Sequence, residues 1–340
     1  MSSHSLLNLK NQNDFLVDIN KYNIESMISK GSFGIVYKIY KDGDVDNCLA
    51  AKVIDKDDTI DQRREIQILM KLQHPAIIKF YGYSLNDFEN QNKLTIFMDY
   101  AENGSLSSFL SKYRANNLDD SIIYDNTARQ IILIGIARGM MFLHQHNWIH
   151  RDLKPENILL DKNLHPHIAD FGLSKEINPE ESGKQSWFGS TPIYTAPEIF
   201  DVKSYNRKVD VYAFGLIMYE ILTDTKPFTF KDGNFAYLPF IKKVYEGERP
   251  KFTKPIKKSL KKLIEQCWHQ DPNKRPTFET IFKKLGYNIE ILDYNTNDSN
   301  NISNSSSFNS NESINLNFSS ESNDFYSESN NYDEDSNDEE

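Results

Sequence analysis

The 340-residue chain has few of the residues that staple or anchor a fold. It holds two cysteines, Cys48 and Cys267, far apart in sequence. That spacing excludes a disulfide framework and a paired-cysteine metal site. Long hydrophobic runs are also missing. The longest, Ile131 to Leu143, is interrupted by Arg138 and is too short to cross a bilayer. No basic stretch followed by an apolar run opens the sequence, so no secretory signal is expected, and Ser2 stands where N-myristoylation needs glycine. Lys and Arg are absent from residues 291–340, which carry twelve Asp and Glu. With 39 basic and 49 acidic residues in all, the first 290 therefore hold 39 against 37. The net charge of -10 belongs to the tail, and the remainder offers no electrostatic footprint for nucleic acid. A phosphate loop of the G-x-x-x-x-G-K-[ST] type does not occur, and the glycines do not precede a helix as a dinucleotide fingerprint requires. A soluble, reducing, cytoplasmic setting is expected, with neither nucleic acid nor membrane as partner.

What is present is enough apolar material for a sizeable core, 39% of residues, with 12% aromatic. Residues 1–20 are polar and show no strong pattern. From Tyr22 the pattern is strand-like through Ile28, Gly31-Ser32-Phe33-Gly34 and Ile35-Val36-Tyr37, which predicts two short strands joined by a glycine turn. Leu49 to Ile54 is a third apolar run. From about Asp58 to Leu72 the spacing is helical, with Ile66, Leu69 and Met70 on one face, Asp58 or Thr59 as caps and His74-Pro75 as the stop. Two more strands are predicted around Ile77–Tyr83 and Leu94–Asp99. Beyond Ala101-Glu102-Asn103-Gly104 the chain turns helical. Ile131–His144 and Val209–Leu222 are apolar on most faces, as helices buried inside a large domain are. From about Asp293 the composition is almost all Asn, Ser, Asp and Glu, which cannot offset chain entropy and predicts disorder. The Asn-x-Ser strings there follow from composition. The expected organisation is an extension at 1–21, one folded domain at 22–288 and an acidic tail at 293–340. The domain has a small β-rich lobe to about residue 99 and a larger helical lobe from about residue 104.

The chemistry-bearing string is His150-Arg151-Asp152-Leu153-Lys154-Pro155-Glu156-Asn157. Phosphoryl transfer needs a carboxylate beside the attacking hydroxyl and an oxygen ligand for the metal, and Asp152 and Asn157 supply both from one tight loop. A further metal ligand is available in Asp170, within His167-Ile168-Ala169-Asp170-Phe171-Gly172. Together these segments closely resemble the catalytic and metal-binding loops of eukaryotic protein kinases.

That resemblance implies the α+β two-lobed protein-kinase fold, with an antiparallel β-rich N-lobe carrying one main helix and a mostly helical C-lobe. It implies ATP as phosphoryl donor and Mg²⁺, or alternatively Mn²⁺, as metal. It assigns Asp152 as the base that orients the acceptor hydroxyl, and Lys154 and Lys52 as charges that offset phosphate. Glu65, thirteen residues after Lys52, would pair with that lysine, and Asn157 and Asp170 would hold metal. The glycine loop is Ser29-Lys30-Gly31-Ser32-Phe33-Gly34, with Ser29 in place of the first glycine of the family pattern. Met98 matches the gatekeeper and Asp99 to Ala101 the hinge, while Val36, Ala50 and Leu159 match the residues that sandwich adenine. Thr191-Pro192-Ile193-Tyr194-Thr195-Ala196-Pro197-Glu198 resembles the segment closing the activation loop, with Ser190 replacing its usual preceding glycine. Asp210 is expected to brace the catalytic loop through its backbone, and Arg275 to pair structurally with Glu198.

Lys154 and Thr191 match the Ser/Thr arrangement, so protein substrates with Ser/Thr acceptors are expected, with dual specificity as the alternative. Leu72 to Ile78, Gly104-Ser105-Leu106, Cys267-Trp268 and Arg275-Pro276-Thr277 look like the tyrosine-kinase-like group of Ser/Thr kinases. Arg151 beside the catalytic Asp accompanies control by loop phosphorylation, for which Ser174, Ser182, Ser186, Ser190 and Thr191 are candidates and Ser186 the preferred one. Ser336 in the tail precedes acidic residues. Self-association for autophosphorylation stays open. A nucleotide-gated pseudokinase is opposed by the complete set of Lys52, Glu65, Asp152, Asn157 and Asp170. A small-molecule kinase is opposed by the segment through Glu198.

Overall fold

The computed structural model describes residues 13–31, 34–54, 60–177, 192–200, 205–229 and 236–286. Five antiparallel strands form the N-terminal sheet: β1 (Tyr22–Gly31), β2 (Gly34–Lys41), β3 (Asp44–Val53), β4 (Phe80–Ser84) and β5 (Thr95–Asp99), in the order β1-β2-β3-β5-β4. The helix predicted from Ile66, Leu69 and Met70 is α1 (Ile60–Lys71). Its expected caps, Asp58 and Thr59, lie outside the described residues.

The register of the sheet decides which residues face the site. Val36 is opposite Lys52, and Ala50 is opposite both Lys38 and Met98. Opposed residues share a face and neighbours alternate, so Val36, Ala50, Lys52, Ile96 and Met98 line one side. The other side carries Ile39, Ala51 and Phe97, all fully buried. A sheet buried on both faces needs a cover for each. The chain before β1 supplies the second: Ile19 packs with Ile39, Ala51 and Phe97, flanked by Val17 and Tyr22. Val17 N–H donates to the Tyr83 carbonyl at 2.9 Å, and the Phe15 and Phe80 rings stand 5.7 Å apart. Residues 13–21 thereby close the β4 edge. Gly82, at φ 154°, permits it, because a Cβ there would lie 2.5 Å from both the Phe15 carbonyl oxygen and Val17 Cγ2.

The run expected to be one strand over Ile77–Tyr83 is divided. Only Phe80 onward joins the sheet, while Ile77 forms a parallel bridge with Ile168. Ile78 N–H donates to the Ile168 carbonyl and Ile168 N–H to Ala76, each at 2.9 Å. The first half of the apolar run is thus a joint between the lobes.

The C-terminal lobe is helical: α2 (Leu106–Arg114), α3 (Asn126–Gln145), α4 (Pro197–Phe200), α5 (Lys208–Thr223), α6 (Tyr237–Tyr245), α7 (Lys258–Cys267) and α8 (Phe278–Gly286). Ser105 and Asp125 cap α2 and α3, accepting from the N–H groups of Ser108 at 3.2 Å and Ala128 at 2.9 Å, the usual way to satisfy orphan donors. α5 is buried along nearly its whole length, as its apolar sequence predicts. α3 departs from that expectation: Ile131 is exposed, and Arg129 and His144 are buried among its apolar residues. Four short strands, β6 (Trp148–Ile149), β7 (Ile158–Leu160), β8 (Pro166–Ile168) and β9 (Lys175–Glu176), pair as β6-β9 and β7-β8. Among the described residues, no helix is long and apolar enough to cross a membrane.

Candidate active site

β3 and α1 present the first half of the site. Lys52 Nζ lies 3.0 and 2.9 Å from the two Glu65 carboxylate oxygens and 3.3 Å from Asp170 Oδ1. Residues 118 positions apart are so joined across the two lobes. Burial alone would push the Lys52 ammonium down, yet the Glu65 and Asp170 carboxylates hold it above the ordinary lysine range. It stays a cation. Burial pushes the Glu65 carboxyl up and Lys52 opposes this. Burial acts the same way on Asp170, but Lys52 outweighs it and keeps that carboxyl below its usual range.

The loop between β6 and β7 presents the second half. Lys154 Nζ is 2.6 Å from Asp152 Oδ2. Asn157 Nδ2 donates to the Asp152 carbonyl at 2.8 Å and to Oδ2 at 3.0 Å. Burial pushes the Asp152 carboxyl above the ordinary aspartate range, and Lys154 restrains it. The loop is tied to the Asp170 segment by Ala169 N–H to the Asn157 carbonyl at 2.9 Å. His150 Nε2 adds a bond to the Ala169 carbonyl at 3.1 Å. Arg151 and Asp170 adopt left-handed φ values of 69° and 62°, a strain of about 1–3 kcal/mol each that only an over-determined surrounding sustains. Asp210, buried at the start of α5, accepts from His150 N–H at 2.9 Å and Arg151 N–H at 2.8 Å. It is the brace expected from sequence.

Of the residues expected around adenine, Val36, Ala50 and Met98 lie on the same sheet face as Lys52, and Leu159 lies on β7 in the C-terminal lobe. Ala50 and Met98 are buried, and Val36 and Leu159 half-buried. Leu159 faces away from Ile158 and Leu160, which sink into the core. β7 is held under the hinge by Asn103 N–H to Leu160 at 3.1 Å and Leu160 N–H to Gly104 at 2.9 Å. Asp99 N–H is used by the Lys79 carbonyl at 3.0 Å, and its carboxylate accepts from the Tyr81 hydroxyl at 2.7 Å. Ala101 accepts from Gly104 N–H at 3.0 Å. In the glycine loop, Ser29 is opposite Val36, Lys30 opposite Ile35 and Gly31 opposite Gly34; Ser32 and Phe33 lie outside the described residues. Gly34 is sterically required, because a Cβ there would come within 2.0 Å of the Val53 carbonyl oxygen, whereas nothing lies within 4 Å of a Cβ built on Gly31. That open space suits the close approach of phosphate to backbone.

The donor set suits a hard cation. With its Nδ2 engaged by Asp152, Asn157 has its amide oxygen to offer, and Asp170 has its carboxylate. Among the described residues no three His, Cys, Asp or Glu side chains converge on one point. One carboxylate and one amide oxygen, completed by water and phosphate, match magnesium's habits.

Residues 22–285 match the protein kinase domain family. The chain belongs to that family. A probable serine/threonine-protein kinase of Dictyostelium discoideum is 35% identical over 274 residues, covering 79% of this chain and 20% of that protein. The dual specificity protein kinase shkA of the same organism is 35% identical over 267 residues, 77% of this chain and 48% of its own length. Serine/threonine-protein kinase VIK of Arabidopsis thaliana is 36% identical over 271 residues, 76% and 58% respectively. The chain thus spans between a fifth and three-fifths of the length of these relatives. Protein kinases use ATP with a divalent metal and act on protein substrates, and the two-lobed architecture described above is their fold.

One expectation for this kinase is corrected. Ser174, a candidate for loop phosphorylation, is fully buried, and its hydroxyl donates to the His150 carbonyl at 3.2 Å; it is part of the loop's support. Ser182, Ser186, Ser190 and Thr191 lie outside the described residues. The pairing of Arg275 with Glu198 holds, at 2.6 and 2.8 Å. Two buried polar residues make contacts not expected from sequence: His144 Nε2 lies 2.8 Å from Asp210 Oδ2, and Glu220 accepts from Arg114 at 3.1 Å and from the Tyr194 hydroxyl at 2.6 Å. The only signal for either was a polar residue within an otherwise apolar helix, which requires a partner when buried.

Proposed function

We propose that this chain transfers the γ-phosphoryl of ATP to serine and threonine hydroxyls of protein substrates. The observation that carries the reading is the meeting of two charged groups, Lys52-Glu65-Asp170 and Asp152-Lys154-Asn157, at one junction between the lobes. In this reading Asp152 orients the acceptor hydroxyl and takes its proton. Its raised carboxyl pKa favours that task. Lys154, already on the Asp152 carboxylate, neutralises charge beside the transferred group, and Lys52 does so for the other phosphates. Asn157 and Asp170 hold Mg²⁺, or Mn²⁺ in its place, which when bound supplies charge neutralisation at the phosphate oxygens. Most of the acceleration is positional and electrostatic. Val36, Ala50 and Leu159 enclose adenine below the Met98 gatekeeper and beside Asp99–Ala101, and Ser29 to Gly34 cover the phosphates.

Lys154 supports serine/threonine acceptors, as do the names of most relatives; shkA keeps dual specificity as the second reading. We assign the catalytic unit to residues 22–288, within the tyrosine-kinase-like group, and its work to cytoplasmic signalling with autophosphorylation between copies. The test is transfer from labelled ATP with Mg²⁺ to a peptide library of Ser, Thr and Tyr acceptors, comparing wild type with Asp152→Asn. Phosphoserine and phosphothreonine well above the variant are expected. No transfer above the variant by folded protein would sink the reading, and dominant phosphotyrosine would overturn the acceptor class. Autophosphorylation between copies predicts a specific rate that rises with enzyme concentration.

A further inference from the structure

Residues 249–264 hold six Lys and one Arg and no Asp or Glu. Without these seven, the first 290 residues would carry 32 basic against 37 acidic groups, so the positive charge of the domain is concentrated here. Arg249 is taken up by the fold: its Nε donates to the Trp268 carbonyl at 2.8 Å and its guanidinium to Gln270 Oε1 at 2.6 Å. The lysines, Lys251, Lys254, Lys257, Lys258, Lys261 and Lys262, are all exposed.

Half of them lie on α7. Leu260, Leu263, Ile264 and Cys267 bury its inner face, so Lys258 and Lys262, one turn apart, stand on the outer one. Gln266 continues their row by another turn, and Lys284 of α8 donates to its Oε1 at 2.9 Å. Three ammonium groups thus follow one line. Lys254 lies 3.1 Å from Asp224, and Lys261 lies 4.0 Å from Glu265. Lys258 and Lys262 have no ion pair among the described residues. Like charges at i and i+4 repel and weaken a helix. Packing of α7 uses the opposite face, so the fold draws no stability from the row.

An anionic partner relieves this repulsion, and its class follows from chemistry and spacing. Phosphate and nucleic acid are recognised best by the guanidinium fork, which the row lacks. A lipid surface is gripped by apolar anchors beside the charges, and the large apolar side chains of α7 face inward. Carboxylates suit compact ammonium groups. Residues four apart on a helix advance about 6 Å. Alternate residues of an extended chain advance about 6.6 Å and point the same way. The two repeats match.

We propose that Lys258, Lys262 and Lys284 form a docking row for an extended acidic segment of a protein partner, with carboxylates on alternate residues. α7 and α8 contribute no residue to the site between the lobes, so docking is measured without turnover.

The experiment is fluorescence anisotropy of a labelled Glu-Ser repeat peptide with the full chain, with a Gln-Ser repeat as the uncharged control. Wild type should bind the Glu-Ser peptide and not the Gln-Ser one, more weakly as salt rises. Lys258→Glu with Lys262→Glu should weaken binding about 10-fold or more, because two attractions become repulsions. Lys242→Glu with Lys243→Glu, on α6, should leave it unchanged. If charge reversal unfolds the chain, Lys258→Gln with Lys262→Gln takes its place. That pair should lose about 3-fold or more of the binding and keep or raise the thermal midpoint, as relief of like-charge repulsion requires. A wild type that binds neither peptide, row variants that bind as wild type does, or an equal loss in the α6 pair would overturn the proposal. Titrations with phosphatidylserine vesicles and with duplex DNA complete the test: tighter, row-dependent binding to either would overturn it in favour of a lipid or nucleic-acid surface.

Discussion

Arg275 offers the sharpest test of what holds the C-terminal lobe together. It is 2% exposed, and its guanidinium makes two parallel bonds to Glu198, at 2.6 and 2.8 Å. Carbonyls of His269 at 2.8 Å, Lys208 at 3.0 Å and Gln270 at 3.4 Å take further donors, and the Tyr212 ring lies 5.1 Å away. Glu198→Ala removes the only charge opposing this cation among these groups. Leaving a buried charge uncompensated costs about 3–5 kcal/mol, and with three carbonyls retained the lower end, about 3 kcal/mol, is expected. For a domain of this size that loss lowers the thermal midpoint by about 6–12 °C. Removing the cation as well, in Glu198→Ala with Arg275→Met, should cost less than the two single changes added, because no unpaired charge remains. Circular dichroism melts of the four proteins, with ATP KM measured alongside, read both points. A Glu198→Ala midpoint within about 1 °C of wild type, or strictly additive singles, would refute a role for this pair in stability.

Three further outcomes follow from other parts of the molecule. Lys52→Met leaves Glu65 buried without its cation and the phosphates without theirs, so kcat should drop about 100-fold or more in the labelled-ATP assay; near-normal turnover would mean Lys52 does not serve the phosphates. Asp152 must be ionised to accept a proton, so activity is lost as pH falls through its pKa, which burial raises and Lys154 lowers. The acid limb of kcat/KM should therefore lie above the ordinary aspartate range and move to still higher pH in Lys154→Met, as profiles of the two proteins would show; an unmoved or lower limb contradicts the assignment. Gly82→Ala would set a Cβ 2.5 Å from the Phe15 carbonyl, forcing residues 13–21 off the β4 edge at about 1–3 kcal/mol. A lower midpoint is expected, and unchanged stability would show that this edge cover contributes little.

The parts of the site legible in sequence are those whose chemistry is local. Asp152, Lys154 and Asn157 share one loop because their atoms must meet, and the structure brings them within 3.0 Å. Ala50 and Lys52, which the family resemblance assigns to the site, fall on one face of the sheet. The pattern failed where an apolar residue has a choice of partners. Ile77 reads as the start of a strand, yet its backbone pairs with Ile168 in the other lobe, and nothing in its side chain distinguishes the two. Phe15, Val17 and Ile19 do alternate, with Asp18 outward, but a stretch that short carries no decisive period. His144 and Arg129 failed for the opposite reason. His144 closes the run Ile131–His144 read as apolar and Arg129 lies before it, and the signal each carries is a polar side chain that burial obliges to find a partner. Arg129 meets Asp224 at 2.7 Å and the Tyr124 ring at 4.4 Å, and His144 meets Asp210. Both bind α3 to the end or beginning of α5. Catalytic groups are recognisable because their spacing along the chain is constrained, whereas the groups that hold them are separated by fifty to a hundred residues, as His144 is from Asp210 by 66 and Arg129 from Asp224 by 95. Such supports are found in a sequence by asking which polar residues a buried helix cannot leave alone.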